Sequence, residues 1–168
     1  TLGQGHVGNS EYVKNGATVD KGLFYGNTTV AEQMKFLGIE DFWGNRYEWV
    51  DGLVHRDGKF WANTNNRAYN DNAVGYTEAG TGYSSVYGKY FKTVIGTTES
   101  GFIPNEIGGS SSTYYCDYYW YRTGHRVACF GGRNFDGSMS GAFHLNMYDS
   151  SSYSSVDQSA RLLYLKQK

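Results

Sequence analysis

No stretch of this sequence approaches the roughly 20 consecutive apolar residues that a membrane-spanning helix needs. Neither an initiator methionine nor a signal-peptide pattern opens it. An excess of charge of either sign is missing as well. The net charge of −1 argues against nucleic-acid or membrane-surface binding driven by bulk charge, so neither a nucleic-acid partner nor membrane insertion is expected. Cysteine is scarce. Only Cys116 and Cys129 occur, and the pair can either form one disulfide or serve as two small core thiols in a Val/Ala/Phe setting. The chain begins at Thr1 within what reads as running sequence, as the C-terminal part of a longer protein would.

What is present is lopsided. The 168 residues include 23 Gly, 16 Tyr and a single Pro, with 17% aromatic and 18% charged residues. Many short strands and turns fit this composition better than long helices do. Aliphatic residues are sparse, so the aromatics must supply much of the core. The length suits one domain, residues 1–168, with a real core.

Along the chain, residues 1–28 read as loops with one or two short strands. Gly3, Gly5 and Gly8 match G-x-G-x-x-G in spacing but lack the strand before and helix after that a dinucleotide site requires. From Thr29 to Phe42 the spacing of Val30, Met34 and Leu37 predicts a helix, capped by Thr28 or Thr29 and ended by Gly38. A second short helical piece is expected over Glu40–Trp43. Tyr47, Trp49 and Val54 read as strand, and Arg56-Asp57-Gly58 as the turn of a hairpin that returns at Lys59–Ala62. Residues 63–113 read mostly as loop pinned by aromatic anchors, with a short strand at Tyr90–Ile95.

The last third carries the strongest signal. Between Glu106 and Lys166 there is no Lys and no Glu, and Ser and Tyr dominate. This is the palette of binding surfaces, in which Tyr supplies rigid contact area and Ser, Gly and Asn supply adaptable hydrogen bonds. Composition alone fits a polar, loop-rich end of a β domain equally well. Arg126–Phe130 reads as a buried strand broken by Gly131-Gly132. Residues 142–148 alternate, which places Phe143, Leu145 and Met147 inward and His144, Asn146 and Tyr148 outward. The run Asp149–Ser155 is too polar to bury, and Ala160–Leu165 reads as a closing strand.

The block Gly38-Ile39-Glu40-Asp41-Phe42-Trp43-Gly44-Asn45-Arg46-Tyr47-Glu48-Trp49-Val50 resembles the G-N-x-x-E-W-V region of the formylglycine-generating-enzyme branch of the C-type lectin fold. The tail, with Gly131-Gly132, Gly141-Ala142-Phe143, Ser152 and Ala160-Arg161-Leu162, resembles the variable region of proteins diversified by retroelements, the group of the phage major tropism determinant. The resemblance implies an α+β, C-type-lectin-type domain: one or two helices, a small twisted antiparallel sheet and long loops. It implies a receptor-binding role at a phage or prophage tail tip or a bacterial surface, towards a host-surface protein or glycan, with copies clustered as a homotrimer. It also implies a variable region at about 114–159, where adenine-directed change of Asn codons reaches Tyr, Ser, Asp, His, Arg, Phe and Gly but never Lys, Glu, Gln, Trp or Met. Gln158, Met139 and Met147 therefore fall outside the variable set.

Carried onto this chain, the pattern marks Arg133, Phe135 and Asp136 after the Gly-Gly break, and His144, Asn146, Tyr148 and Asp149 on or beside the outward strand face. It also marks Tyr153, Ser155 and Asp157 in the final loop, and Arg122 and His125 before the Arg126 strand. No catalytic residue, cofactor or metal is expected. His6, His55, His125 and His144 have no metal-like spacing. The only proline gives Ile103-Pro104-Asn105, which lacks the acid that calcium-dependent sugar-binding triplets carry. Two alternatives stay open: a calcium-independent carbohydrate-binding lectin working through Tyr rings, and a formylglycine-generating-type oxidase using Cys116 and Cys129, although a thiol in an apolar strand is usually inert.

Overall fold

The computed structural model describes residues 3–8, 11–63, 68–81, 88–98 and 100–161. The chain is nearly all β, with 44% of it in strands. Among the described residues eleven strands follow in order: β1 (Lys35–Phe36), β2 (Ile39–Glu40), β3 (Tyr47–Arg56), β4 (Lys59–Ala62), β5 (Thr77–Thr81), β6 (Gly88–Thr97), β7 (Gly101–Ile107), β8 (Tyr118–Tyr121), β9 (Arg126–Gly131), β10 (Gly141–Met147) and β11 (Gln158–Ser159). The one helical turn among the described residues is a 3-10 turn at Gly137–Met139.

This corrects the expected α+β architecture: among the described residues there is no α-helix. The apolar spacing at Val30, Met34 and Leu37 does not mark a helix face, because only Met34 is buried and the other two are exposed. Local hydrogen bonding explains the difference. Asn27 Oδ1 accepts the backbone N–H groups of Thr29 and Val30, a turn that competes with helix nucleation. Leu37 and Gly38 then adopt left-handed φ values of 51° and 82°. They form a two-residue hairpin turn that pairs Phe36 with Ile39. The expected Glu40–Trp43 helix is likewise replaced, by β2 and a left-handed Asp41. Residues 63–113, expected to be mostly loop, contain β5, β6 and β7. The Asp57-Gly58 hairpin and the Arg126 strand form as the sequence suggests. In the expected closing strand Ala160–Leu165, residues 162–165 lie outside the described residues.

The strand order in the main sheet is β5-β4-β3-β9-β10-β8-β6-β7, with β11 added to β3. The sheet curls into a nearly closed barrel. Its interior holds Phe60, Phe91, Ile103, Tyr119, Tyr121, Ala128, Leu145 and Met147, with Val94, Ile95 and Phe143 packed against them. Aromatic rings therefore do supply much of the core, as the shortage of aliphatics requires. In β8 the burial alternates, so Tyr119 and Tyr121 point inward while Tyr118 and Trp120 stay on the outer face.

Candidate functional site

The site lies on the outer face of the barrel, where β8, β10 and β9 run side by side. Asn146 of β10 is in register with Trp120 of β8 on one side and Cys129 of β9 on the other. These three positions form a row across the sheet. After β10 the chain turns at Tyr148 and Asp149, runs through an exposed serine-rich loop, and comes back as β11 alongside Tyr47. The returning loop and the row beneath it enclose a cleft of about 270 Å³, lined by Tyr47, Trp120, Arg133, Asn146, Tyr148, Asp149, Tyr153, Asp157 and Gln158.

One wall is built by the loop after β9. Gly131 and Gly132 both take left-handed φ angles, 88° and 74°. A side chain on Gly132 would also collide with Ser140, so two glycines are what let the strand reverse here. The turn that follows places Arg133 against Asp136, whose Oδ2 accepts the Arg133 backbone N–H at 3.1 Å and whose Oδ1 accepts Nε at 3.2 Å. Arg133 Nη1 also pairs with Asp157. Tyr47 donates its hydroxyl to Asp136 at 2.6 Å, and Tyr12 donates to Asp157. Burial, and then Asp157, push the Tyr12 hydroxyl up to about 12, while burial and Asp136 raise Tyr47. Both phenols therefore remain proton donors. One guanidinium thus ties together two carboxylates from separate loops, a geometry suited to its planar fork.

The floor is held differently. Asn146 Oδ1 accepts the Tyr148 backbone N–H at 2.8 Å. Among the described residues the Asp149 carboxylate accepts only from amides, Gln158 Nε2 at 3.3 Å and Asn146 Nδ2 at 3.5 Å. Burial raises its pKa.

The alternation along 142–148 separates two faces, but the expected exposure of the outer one is corrected. Leu145 and Met147 lie in the barrel core. On the other face, His144 is 1% exposed and Asn146 4%. His144 packs on the Tyr47 ring with centroids 5.5 Å apart, and its Nδ1 donates to the Met139 carbonyl at 2.7 Å. Burial lowers its pKa. The loops that build the cleft cover this face, a tertiary contact that strand periodicity does not encode.

The twelve sequence-marked residues therefore separate. Arg133, Asn146, Tyr148, Asp149, Tyr153 and Asp157 converge on the cleft. His144 and Asp136 are buried supports beneath it. Phe135 stands 52% exposed beside the cleft, edge-on to Tyr12 at 5.8 Å. Arg122 is exposed and lies 5.2 Å from the Tyr148 ring centroid. Ser155 shapes the loop by accepting the Asp157 N–H, and His125 sits exposed in the β8–β9 turn away from the lining. The sequence reasoning missed Tyr47, Trp120 and Gln158. For Trp120 a signal existed, since alternation in Tyr-Tyr-Trp-Tyr puts it on the same outer face as Tyr118.

No family model, curated protein or solved structure matches the chain. The site's own geometry thus carries the functional argument. Cys116 and Cys129 are both free. The Cys129 thiol is fully buried, with its pKa pushed up by burial, so its environment favours the unreactive protonated form. Among the described residues no three or more His, Cys, Asp or Glu gather as a metal site, and no helix is long and apolar enough to cross a membrane.

Proposed function

We propose that this chain is a target-recognition domain that binds a host-surface protein or glycan through the outer-face cleft, in the manner of a phage or prophage tail tip or a bacterial surface adhesin. The observation that carries this reading is the convergence of six marked residues on one cleft whose framework is held from below by buried groups. Tyr148 and Tyr153 provide aromatic contact area at low entropic cost. Arg133, Asp149 and Asp157 provide directional polar contacts. The barrel core supplies a rigid frame to which Phe135 and Tyr153 do not contribute. The Lys- and Glu-free composition of this region agrees with diversification through Asn codons. On that reading, change is concentrated at Phe135, Tyr148, Asp149 and Tyr153, because Asp136, His144 and the Arg133 bridge also hold the loops in place.

The test is binding of the purified, fluorescently labelled chain to intact cells of a bacterial panel. The wild type is expected to stain a subset of the panel. The double variant Tyr148→Ala/Tyr153→Ala is expected to lose at least about tenfold in affinity, since two aromatic anchors are removed. Its thermal unfolding midpoint should stay near that of the wild type. A double variant that binds like the wild type, or a wild type that stains no cell, contradicts the proposal.

A further inference from the structure

We infer that the cleft is built to take an organic cation, a lysine ammonium or arginine guanidinium, with Asp149 as its counter-ion and the Tyr148 and Tyr153 rings as its walls. This rests on the cleft being the recognition site and names the chemistry of what enters it. Charge balance within the lining makes the argument. Two carboxylates, Asp149 and Asp157, face one guanidinium, Arg133. That guanidinium is already committed to Asp157 and shared with the buried Asp136. Asp149 has no ion-pair partner among the described residues. Its two hydrogen bonds come from neutral amides and both converge on Oδ2, which leaves Oδ1 with no hydrogen-bond donor among the described residues. Arg126 and Arg133 act on Asp149 without forming a salt bridge to it; a half-buried carboxylate with no cation in contact is costly, and a ligand cation offsets that cost.

The walls suit the same ligand. Tyrosine faces attract cations electrostatically, and guanidinium groups most often. The chain shows this preference in its own packing: the Arg122 guanidinium stands 5.2 Å from the Tyr148 ring centroid and that of Arg133 5.6 Å from the Tyr47 ring. A neutral saccharide would also find aromatic and amide contacts here, but it would leave Asp149 without a cation in contact.

The experiment uses the whole chain and isotope-labelled NMR. The side-chain amides of Asn146 and Gln158, which donate to Asp149, serve as reporters. Nα-acetyl-arginine methylamide, Nα-acetyl-lysine methylamide, free agmatine and methyl β-glucoside are titrated separately. At least one of the cations is expected to shift both reporters with saturation, while the glucoside does not. Raising the salt concentration should weaken the effect, and Asp149→Asn should weaken it at least about tenfold. Tighter binding of the amino-acid amides than of agmatine indicates a protein side chain as the source, and the reverse indicates a free amine. If the glucoside shifts the reporters and the cations do not, or if no cation shifts them, the inference is overturned on the wild type alone, whatever the variant does. Cell binding that depends on Tyr148 and Tyr153 would then still support the recognition reading. Absence of cell binding would instead remove that reading, whatever the cations do.

Discussion

Gly80 of β5 and Ile103 of β7 face each other across the seam between the two edge strands of the sheet. A Cβ added to Gly80 would overlap the Ile103 Cδ1 methyl, and Ile95 lies just behind it. Ile103 is fully buried, so shifting its methyl requires its neighbours to repack. Close approach here lets the sheet curl nearly shut over its aromatic interior. Gly80→Ala is expected to destabilise the fold by about 1–3 kcal/mol through overpacking. Gly22→Ala is expected to be nearly neutral, since Gly22 meets no atom within 4 Å and has no left-handed φ. Denaturant unfolding midpoints with unchanged m-values check both.

Short-range signals were legible in the sequence and long-range ones were not. The Asp57-Gly58 turn, the Arg126 strand and the Gly131-Gly132 break depend on local conformational preference, and each stands where the sequence put it. The helix expected at Thr29–Phe42 failed because three apolar residues at helical spacing matched by coincidence, while Asn27 and the Leu37-Gly38 turn set the local geometry. Barrel closure depends on Gly80 meeting Ile103, 23 positions later, and no periodicity reports such a contact. At the candidate site, the residue types marked a stretch that contributes six side chains to one cleft. Which of them line the cleft and which support it follows from loops folding over β10, and that is decided only in three dimensions.

The Arg133 bridge yields a second prediction. Arg133→Met leaves the buried carboxylate of Asp136 without its cation and cuts the tie to Asp157. A loss of roughly 2–4 kcal/mol is expected, because an uncompensated buried charge costs more than the pair contributes. Arg133→Lys should recover only part of it, since an ammonium cannot span both carboxylates as the planar fork does. Thermal or urea unfolding at neutral pH provides the measurement.

Asp117 sets a pH dependence. Burial raises its carboxyl from the ordinary 3.8 to about 6, and its resolved stabilising partner is the Phe143 N–H at 2.6 Å. A raised acid means that the folded state binds a proton more tightly than the unfolded chain does. The penalty is therefore absent below about pH 4, grows as pH rises towards 6 and is constant above that. Asp117→Asn should be more stable than wild type above pH 6, by up to about 3 kcal/mol, with the advantage fading below pH 4. Gly141→Ala should destabilise at every pH, because a Cβ there would overlap the Asp117 carboxylate.

His55 and His144 titrate in the opposite sense. Burial lowers both in the folded state, whereas the unfolded chain takes up protons near the usual value of 6.5. The stability they contribute is present above that value and declines as pH falls below it. Their ring resonances in NMR should therefore stay neutral as pH drops through 6.5. His55→Phe, in a pocket formed by Phe60 and Tyr121, should reduce the acid sensitivity of unfolding.

Oxidative footprinting of the tyrosines, with and without the cells that the chain binds, probes the proposed surface most directly. The cleft reading predicts protection of Tyr148 and Tyr153, with Phe135 beside them, and no change at Tyr114, which is exposed in a loop outside the lining. Unaltered labelling in the cleft, with protection instead at the exposed apolar group of Leu23, Phe24 and Leu37, would show that the chain meets its target through another face.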